Sequence, residues 1–460
     1  MSPRTLVPLS PRTRVFPIPH SPNPLQYQRN ITIDRTLKPT PPETVRPFLA
    51  WLPHLKREIW ILATGQLLLF IGQGFTLVYA SIYFVNELGF STTQVGFALS
   101  SSGLSGTLGR FLAGNAIDSD RFGRRGTLLL AAVLTAIACF FLAFADTFEL
   151  LVVGNLLLGL GISLYWPATL AVTTDLTTTD DRAEAFAVTR LVDNLGLGLG
   201  ALLAGQYLAM SGSYRALFIG KGVTYLLFSL VIYAAIAETR QPQTQTRNLL
   251  EDWWQALSDR HLVTFLIANV FFTTYAAQLG STLPLYLANF VPAGNGEMGF
   301  SEAWISYFFG WHAFLKILLQ LPITRAVKPL GHLTVLLVAL ILWCGGFVLL
   351  WVTGIMPGDA WLFAVGAFTA IAIAENLYAP IAVSFVGEIA PLRLRGIYFA
   401  LESECWAIGF LIGPILGGWA LDRPDAVGSN FWLILLGSAS IAGTILGYLQ
   451  RQMKGAIDLN

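Results

Sequence analysis

Apolar runs of about 20 residues recur along nearly the whole chain, separated by short polar breaks. A helix of that length crosses the hydrocarbon core of a bilayer. Backbone groups in lipid must satisfy one another, so such runs are constrained to be helical. Twelve runs can be counted, at about 60–84, 92–117, 127–145, 149–172, 183–209, 215–237, 262–290, 301–323, 333–353, 360–386, 396–421 and 430–450. Only 12% of the 460 residues are charged, against about a quarter in a soluble domain. The expected fold class is an all-α membrane protein with twelve transmembrane helices in a lipid bilayer.

Charge placement orients it. Breaks assigned to one side carry Arg121, Arg124, Arg125, Arg182, Arg240, Arg247, Arg260, Arg325, Lys328, Arg393, Arg395, Arg451 and Lys454. Those on the other side carry only Arg215 and Arg423. Cationic loops stay in the cytoplasm, so both termini are predicted cytoplasmic, in the plasma (inner) membrane. Residues 1–57 carry a net charge of +7 and the remainder −6. This Pro-, Arg- and Ser-rich stretch is predicted to be a disordered cytoplasmic tail. A plastid transit peptide or a misassigned start codon would also give an arginine-rich, acid-poor start. Cys139, Cys344 and Cys405 each fall inside an apolar run. They read as packing residues, and no metal, cofactor or nucleic-acid partner is expected.

The longest polar break between runs, Glu238 to Arg260, divides the chain into 58–240 and 261–452, with 241–260 as a linker and 453–460 as a cytoplasmic end. Within the linker Leu249, Leu250, Trp253, Trp254 and Leu257 recur at helical spacing, with Asn248 placed as N-cap. A short interfacial helix on the cytoplasmic leaflet is predicted. The two halves repeat each other. Leu164-Tyr165-Trp166-Pro167 returns as Leu377-Tyr378-Ala379-Pro380, an offset of 213. The same offset sets Asp175 against Glu388, Arg182 against Arg395, and Gly196, Gly200 and Gly205 against Gly409, Gly413 and Gly418. Separately, Gly89-Phe90-Ser91 matches Gly299-Phe300-Ser301. Such repeats point to two bundles with a substrate site between them.

The break from Gly114 to Gly126 is basic and turn-forming. It resembles the Gly-x-Leu-x-Asp-Arg-x-Gly-Arg-Arg signature between the second and third helices of the major facilitator superfamily. Asp120-Arg121-Phe122-Gly123-Arg124-Arg125 matches its second half directly. Gly114-x-x-x-Asp118 fits the first half two residues out of step, so Asp118 and Asp120 are both candidates for its carboxylate. The resemblance covers roughly 58–452. It implies two pseudo-symmetric six-helix bundles, a monomer, and transport by alternating access. It also implies that spans 1, 4, 7 and 10 line the cavity, that span 2 packs on 11, and that span 5 packs on 8. Two departures stand out. Asn155 replaces an arginine expected ahead of Gly159-Leu160-Gly161. The Gly-Pro-x-x-Gly-Gly expected in span 5 of antiporters appears instead in span 11, at Gly413-Pro414 and Gly417-Gly418.

Charges within spans are costly and mark function by default. Arg110 lies about 10 Å from the cytoplasmic end of its span, level with Glu402 and Glu404. Asp193 lies about 15 Å in, near His312 and Lys316. Given the packing that the resemblance implies, we expect Arg110 to pair with Glu402 or Glu404, and Asp193 with Lys316. The competing expectation is a purely structural Arg190–Asp193 pair at i,i+3. Glu375 reads as an isolated mid-membrane carboxyl with a raised pKa, able to carry a proton or meet a cation. His312 is a second proton-shuttle candidate. By the same resemblance, Gln73, Asn155, Tyr165, Tyr275, Gln278, Asn376 and Tyr378 are placed on the cavity. Asp118 or Asp120, with Arg121, Gly123, Arg124 and Arg125, is expected to latch onto the start of span 11 near Arg395.

The sequence contains no Gly-x-x-x-x-Gly-Lys-Ser/Thr loop, so ATP hydrolysis is not expected. No clustered nucleophile and base suggest an enzyme. The leading reading is proton-coupled efflux of a small amphipathic organic compound. Import of a sugar or organic acid, or a transport-dead membrane sensor, are the alternatives.

Overall fold

The computed structural model describes residues 55–119, 121–178, 181–239, 249–294, 297–356, 358–391 and 393–457. The tail up to Pro53, Asn248, Asp120 and the side chain of Asp118 lie outside the described residues, with whatever the sequence predicted for them. The first half holds α1 (Arg57–Leu77), α2 (Thr92–Asp118), α3 (Gly123–Ala143), α4 (Phe148–Leu176), α5 (Arg182–Ser211) and α6 (Tyr214–Ala235). A short helix α7 (Leu249–Leu257) precedes α8 (Arg260–Ala277), α9 (Thr282–Asn289), α10 (Glu302–Ala326), α11 (His332–Ile355), α12 (Ala360–Ile389), α13 (Arg395–Leu421) and α14 (Phe431–Ile457). Between α9 and α10, strand β1 (Pro292–Gly294) pairs antiparallel with β2 (Glu297–Met298), a small exception to the all-α expectation.

Among the described residues, ten helices are long and apolar enough to cross a membrane. Helices α2 and α10 are equally long, at 27 and 25 residues, but more polar. The chain is therefore an integral, multi-pass membrane protein. Helix α1 packs on α5 and α6, α2 on α4, and α3 on α4 and α6. In the second half α8 packs on α13 and α14, α11 on α12 and α14, and α10 on α12. Two seams join the halves, α2 on α13 and α5 on α10.

The run expected to be continuous over 262–290 is broken. Helix α8 stops at Ala277, a 3₁₀ turn covers Gln278–Gly280, and α9 begins at Thr282. Pro284 lies in the first turn of α9, where its missing N–H costs no intrahelical bond, whereas Pro167, Pro322, Pro380 and Pro414 sit inside continuous helices.

The repeated Gly-Phe-Ser triplets acquire a physical meaning. Gly89 and Gly299 have φ of 74° and 88°, a region that suits glycine. Ser91 and Ser301 then cap α2 and α10 through their side chains. At α2 the cap is a full box, with Ser91 Oγ accepting from Gln94 N and Gln94 Oε1 accepting from Ser91 N. The next donors are satisfied by the other half of the chain. Asp422, just past α13, accepts from Thr92 N at 2.9 Å, Thr93 N at 2.8 Å and the Thr92 hydroxyl at 2.6 Å.

Further bonds join the halves at this same end. Asn86 and Asn289 exchange two hydrogen bonds of 3.0 and 2.8 Å. Tyr79 donates to the Glu302 carbonyl and Tyr214 to its carboxylate. Gly96 faces Pro414, and Gly205 faces Ser306, where a Cβ would clash. Moving toward the Gly123 loop, the last contact that joins α2 to α13 by an ion pair is Arg110 with Glu404, at 3.6 Å.

Burial works against the Asp422 carboxylate, but the hydrogen bonds from Thr92 and Thr93 outweigh it and hold its pKa below the usual aspartate range. A depressed folded pKa contributes stability above the unfolded value of about 4, lost as pH falls through the folded value. Asp422→Asn should therefore lower the thermal midpoint at pH 7. The gap to wild type should close as the pH drops below about 4, read by intrinsic fluorescence of the purified protein.

Candidate functional site

The basic loop between α2 and α3 is held by residues that the sequence reading did not single out. Glu238, beyond α6, accepts from Arg124 N and Arg125 N at 3.0 and 3.1 Å. It thus caps α3, whose first residue Gly123 has φ of 63°. The Arg124 guanidinium pairs with Asp175 at the end of α4. Arg125 donates to the Tyr233 carbonyl and lies over the Tyr233 ring, and Arg121 lies over Phe122. Arg395, the predicted latch partner, is exposed at the start of α13. In the second half Glu388, the repeat partner of Asp175, meets His332 at 2.7 Å.

Deeper in, charges meet between packed helices. Glu375 is not isolated: Lys316 Nζ lies 2.9 Å and His312 Nε2 3.3 Å from its Oε2. This corrects both the lone-carboxyl reading and, in this conformation, the Asp193–Lys316 pairing. The cause is local, since α10 packs on α12 within its own half and brings Lys316 to Glu375 first. Asn376 turns to the same helix and donates to the Lys316 carbonyl at 3.2 Å. The in-helix Arg190–Asp193 ion pair does not close either. Arg190 stacks over Trp166 at 4.8 Å, while buried Asp193 leaves one carboxylate oxygen without a hydrogen bond. Lys221 on α6 was overlooked, although a lysine inside an apolar run is a plain signal. It is 2% exposed and donates to Thr76 of α1 at 3.0 Å.

Each half holds one buried aromatic group around a repeated tyrosine. In the first half Tyr165 accepts from Gln66 at 3.1 Å and sits with Phe70 and Trp166. In the second, Tyr378 donates to Asn269 at 2.7 Å, stacks on Phe272 with ring centroids 4.6 Å apart, and neighbours Trp406. Glu402 lies beside Asn269 and Trp406, within electrostatic reach of Arg190 from the other half. Asn269, Trp406 and Gln66 were missed because isolated amides and aromatics carry no spacing signal. Several residues expected on the cavity instead serve packing. Tyr275 bonds Ser438 and packs on Trp343 and Phe347. Gln278 donates to the Gly413 carbonyl, Gln73 accepts from Tyr225, and Asn155 donates to Leu151 of its own helix.

Two halves thus meet along two seams, one carrying the Arg110–Glu404 pair, and each half holds its own buried charge or aromatic group. The Major Facilitator Superfamily profile matches residues 62–292, half of the chain. The chain belongs to the major facilitator superfamily. A second profile, the MFS_1 like family, matches residues 216–429. Curated relatives of this superfamily member include the Na(+), Li(+), K(+)/H(+) antiporter of Planococcus maritimus, 26% identical and covering 81% of this chain and 91% of that one. The multidrug resistance protein MdtH of Yersinia pestis is also 26% identical, covering 85% and 94%. Among solved structures, the nucleoside transporter NupG superposes with a TM-score of 0.71 at 15% identity, covering 86% of this chain and 99% of that one.

A buried charge stripped of its partner destabilises by about 3–5 kcal/mol. Glu375→Gln should therefore lower the thermal midpoint sharply. Adding Lys316→Gln should recover most of the loss, because the double variant leaves no ammonium uncompensated. Equal midpoints for the single and double variants would show that Lys316 does not depend on Glu375.

Proposed function

We propose that this transporter exports a small amphipathic organic compound in exchange for protons, by alternating access of two six-helix bundles. The observation that carries this reading is the Glu375 carboxylate shared by Lys316 and His312 where α12 packs on α10. A carboxylate between an ammonium and an imidazole offers several ways to hold one proton. Its balance shifts when either partner is drawn away. The cation-loop rule places the Gly123 loop in the cytoplasm. The bonds joining the halves at the opposite end then support an inward-open conformation for this structure.

In this reading α2 and α10 complete a set of twelve spans, with α8 and α9 forming one broken span. The basic loop acts as a latch in the other conformation, when the cytoplasmic ends of the halves meet. Arg110 with Glu404, and Lys316 with Asp193, are the gating pairs. Lys316 leaves Glu375 for the unsatisfied Asp193 as α5 and α10 close, and Glu375 takes up a proton in compensation. The aromatic groups around Tyr165 and Tyr378, with Glu402 between Asn269 and Trp406, provide an apolar, weakly acidic lining for an amphipathic ligand, cationic or neutral. The multidrug and cation/proton antiporter relatives agree with efflux coupled to protons.

An efflux-deficient bacterial host expressing the protein should accumulate less of at least one cationic or neutral dye. A protonophore and Glu375→Gln/Lys316→Gln should each abolish the difference at unchanged protein level. Unchanged accumulation across the panel, with radiolabelled sugar or organic-acid uptake in its place, would reverse the direction assigned. The exchange of partners has its own check. Asp193→Lys and Lys316→Asp should each reduce export at least tenfold, and the double swap should restore a substantial part. Failure of the swap at normal expression removes the Asp193–Lys316 step.

A further inference from the structure

The short helix α7 lies between the two halves in the chain, and the transport reading gives it no part. It packs on α13 and α8, and its bonds there are specific. The Arg393 guanidinium, just ahead of α13, pairs with Asp252 at 3.0 Å and donates to Gln255 at 2.5 Å. Tyr398, near the start of α13, donates to Asp259 at 2.7 Å. Asp259 in turn caps α8 by accepting from His261 N and Leu262 N. Helix α7 is thereby fastened to the second half. Helix α13 runs antiparallel to α2, since Asp422 at its end bonds Thr92 at the start of α2. The start of α13, and α7 with it, therefore lies at the Gly123-loop end.

Helix α7 has three faces. At about 100° per residue, Asp252 and Ala256 share one, and they are 3% and 0% exposed. Glu251 and Gln255 share a second, which is exposed. Trp254 and Leu257 share a third, and they are 75% and 47% exposed. Trp253 stands between the buried face and the Trp254–Leu257 face and packs partly on the core. A helix lying on a protein surface in water needs only a buried face and a polar one. The additional apolar face, which adjoins the buried one through Trp253, fits a helix set in the angle between the bundle and a bilayer surface. Only Ser258 and Asp259 separate Leu257 from Arg260, where the membrane-spanning α8 begins. Tryptophan is enriched at that depth, where its ring meets acyl chains and its N–H meets water.

We propose that α7 is a membrane-docked strut of the second half, with Trp254 and Leu257 inserted in the headgroup layer of the adjoining leaflet. The partner is the lipid interface itself, and the attraction is apolar. The charged residues of α7, its junction with α8 and the start of α13 balance, Glu251, Asp252 and Asp259 against Arg260, Arg393 and Arg395. Docking therefore does not need anionic lipid. Helix α13 also carries Glu404 to Arg110 at the seam, so the strut ties the attitude of that helix to the plane of the membrane. The inference rests on the membrane-spanning helices, not on the compound transported, its direction or proton coupling.

The test is nitroxide labelling of the full chain in nanodiscs of zwitterionic phosphatidylcholine, at Trp254→Cys, Leu257→Cys, Glu251→Cys or Gln255→Cys, one at a time. Cys139 and Cys405 are buried and Cys344 is half-buried, and the unsubstituted chain treated in parallel gives the background. Each labelled chain should unfold within about 1 °C of wild type, because all four positions are exposed. The ratio of relaxation by oxygen to relaxation by a water-soluble nickel chelate should be about threefold or more higher at 254 and 257 than at 251 and 255. Equal ratios at all four positions would put the face in water and overturn the proposal. Labels at 254 and 257 that are immobilised and shielded from both reagents would also overturn it, since a second copy or another part of the chain would then cover the face. So would a pattern that appears only when anionic lipid is added. Dye export separates this from the proposed function. A chain that exports nothing while 254 and 257 show the lipid pattern leaves the strut standing, and a chain that exports with all four labels in water leaves the transport reading standing.

Discussion

A charge inside hydrocarbon must be paired or solvated, and that requirement decides which faces of these helices meet. Arg110 and Glu404 bring α2 to α13, a contact between the two halves. Glu375 brings α12 to α10 through Lys316 and His312, a contact within one half. The distinction matters for the proposed transport cycle. There the pair across the seam, Arg110 with Glu404, opens directly when the halves part, whereas the pair within one half, Glu375 with Lys316, opens only if a partner from the other half, Asp193, takes Lys316. Lys221 answers the same requirement differently, with a hydroxyl from Thr76 in place of a carboxylate.

The two halves share a frame and differ in chemistry. Both repeat a left-handed glycine followed by a serine cap, at Gly89 and Ser91 and at Gly299 and Ser301. Both end α4 or α12 with a carboxylate that reaches the start of the preceding helix, α3 or α11. In the first half Asp175 meets the permanent cation of Arg124, and in the second Glu388 meets the titratable His332. The backbone turns coincide in the two halves, where only glycine suits the left-handed φ. The ion pairs differ, Arg124 with Asp175 against His332 with Glu388, since either partner can change while the helix still packs.

Most of the spans, the repeat and the paired Gly-Phe-Ser triplets were legible in the sequence, because length in lipid and a fixed offset are local rules; that Ser91 and Ser301 cap helices emerged only from the fold. The Arg110 neighbourhood was legible through helix depth together with the superfamily's packing. What escaped was long-range and single-residue. Glu238 caps α3 from more than 110 positions away, and Asp422 caps α2 from 330 away. A lone acidic residue after an apolar run looks like ordinary loop polarity until the fold brings it to a helix start. Glu375 was found and misread, because its partners lie on another helix and their rotation about that helix is set by packing. Tyr275 and Gln278 were placed on the cavity by span number alone, and the break at Pro284 helps explain why that number is a poor guide to facing.

The closed end is held by many small bonds at a wet rim. Asp422 contributes hydrogen bonds to Thr92 and Thr93, Asn86 and Asn289 exchange theirs, and Tyr79 and Tyr214 hold Glu302. A hydrogen bond of this kind is worth about 1 kcal/mol net, because water replaces it when it opens. Several together amount to a few kcal/mol, the scale on which a two-state equilibrium can be biased by a ligand or a proton. One deeply buried pair across the same seam would behave differently, since opening would strand both charges at a cost of several kcal/mol each. Arg110 and Glu404 are such a pair: their side chains are only 19% and 13% exposed and the paired Nη1 and Oε2 atoms are buried. Parting the seam there therefore requires a new partner or water for each charge.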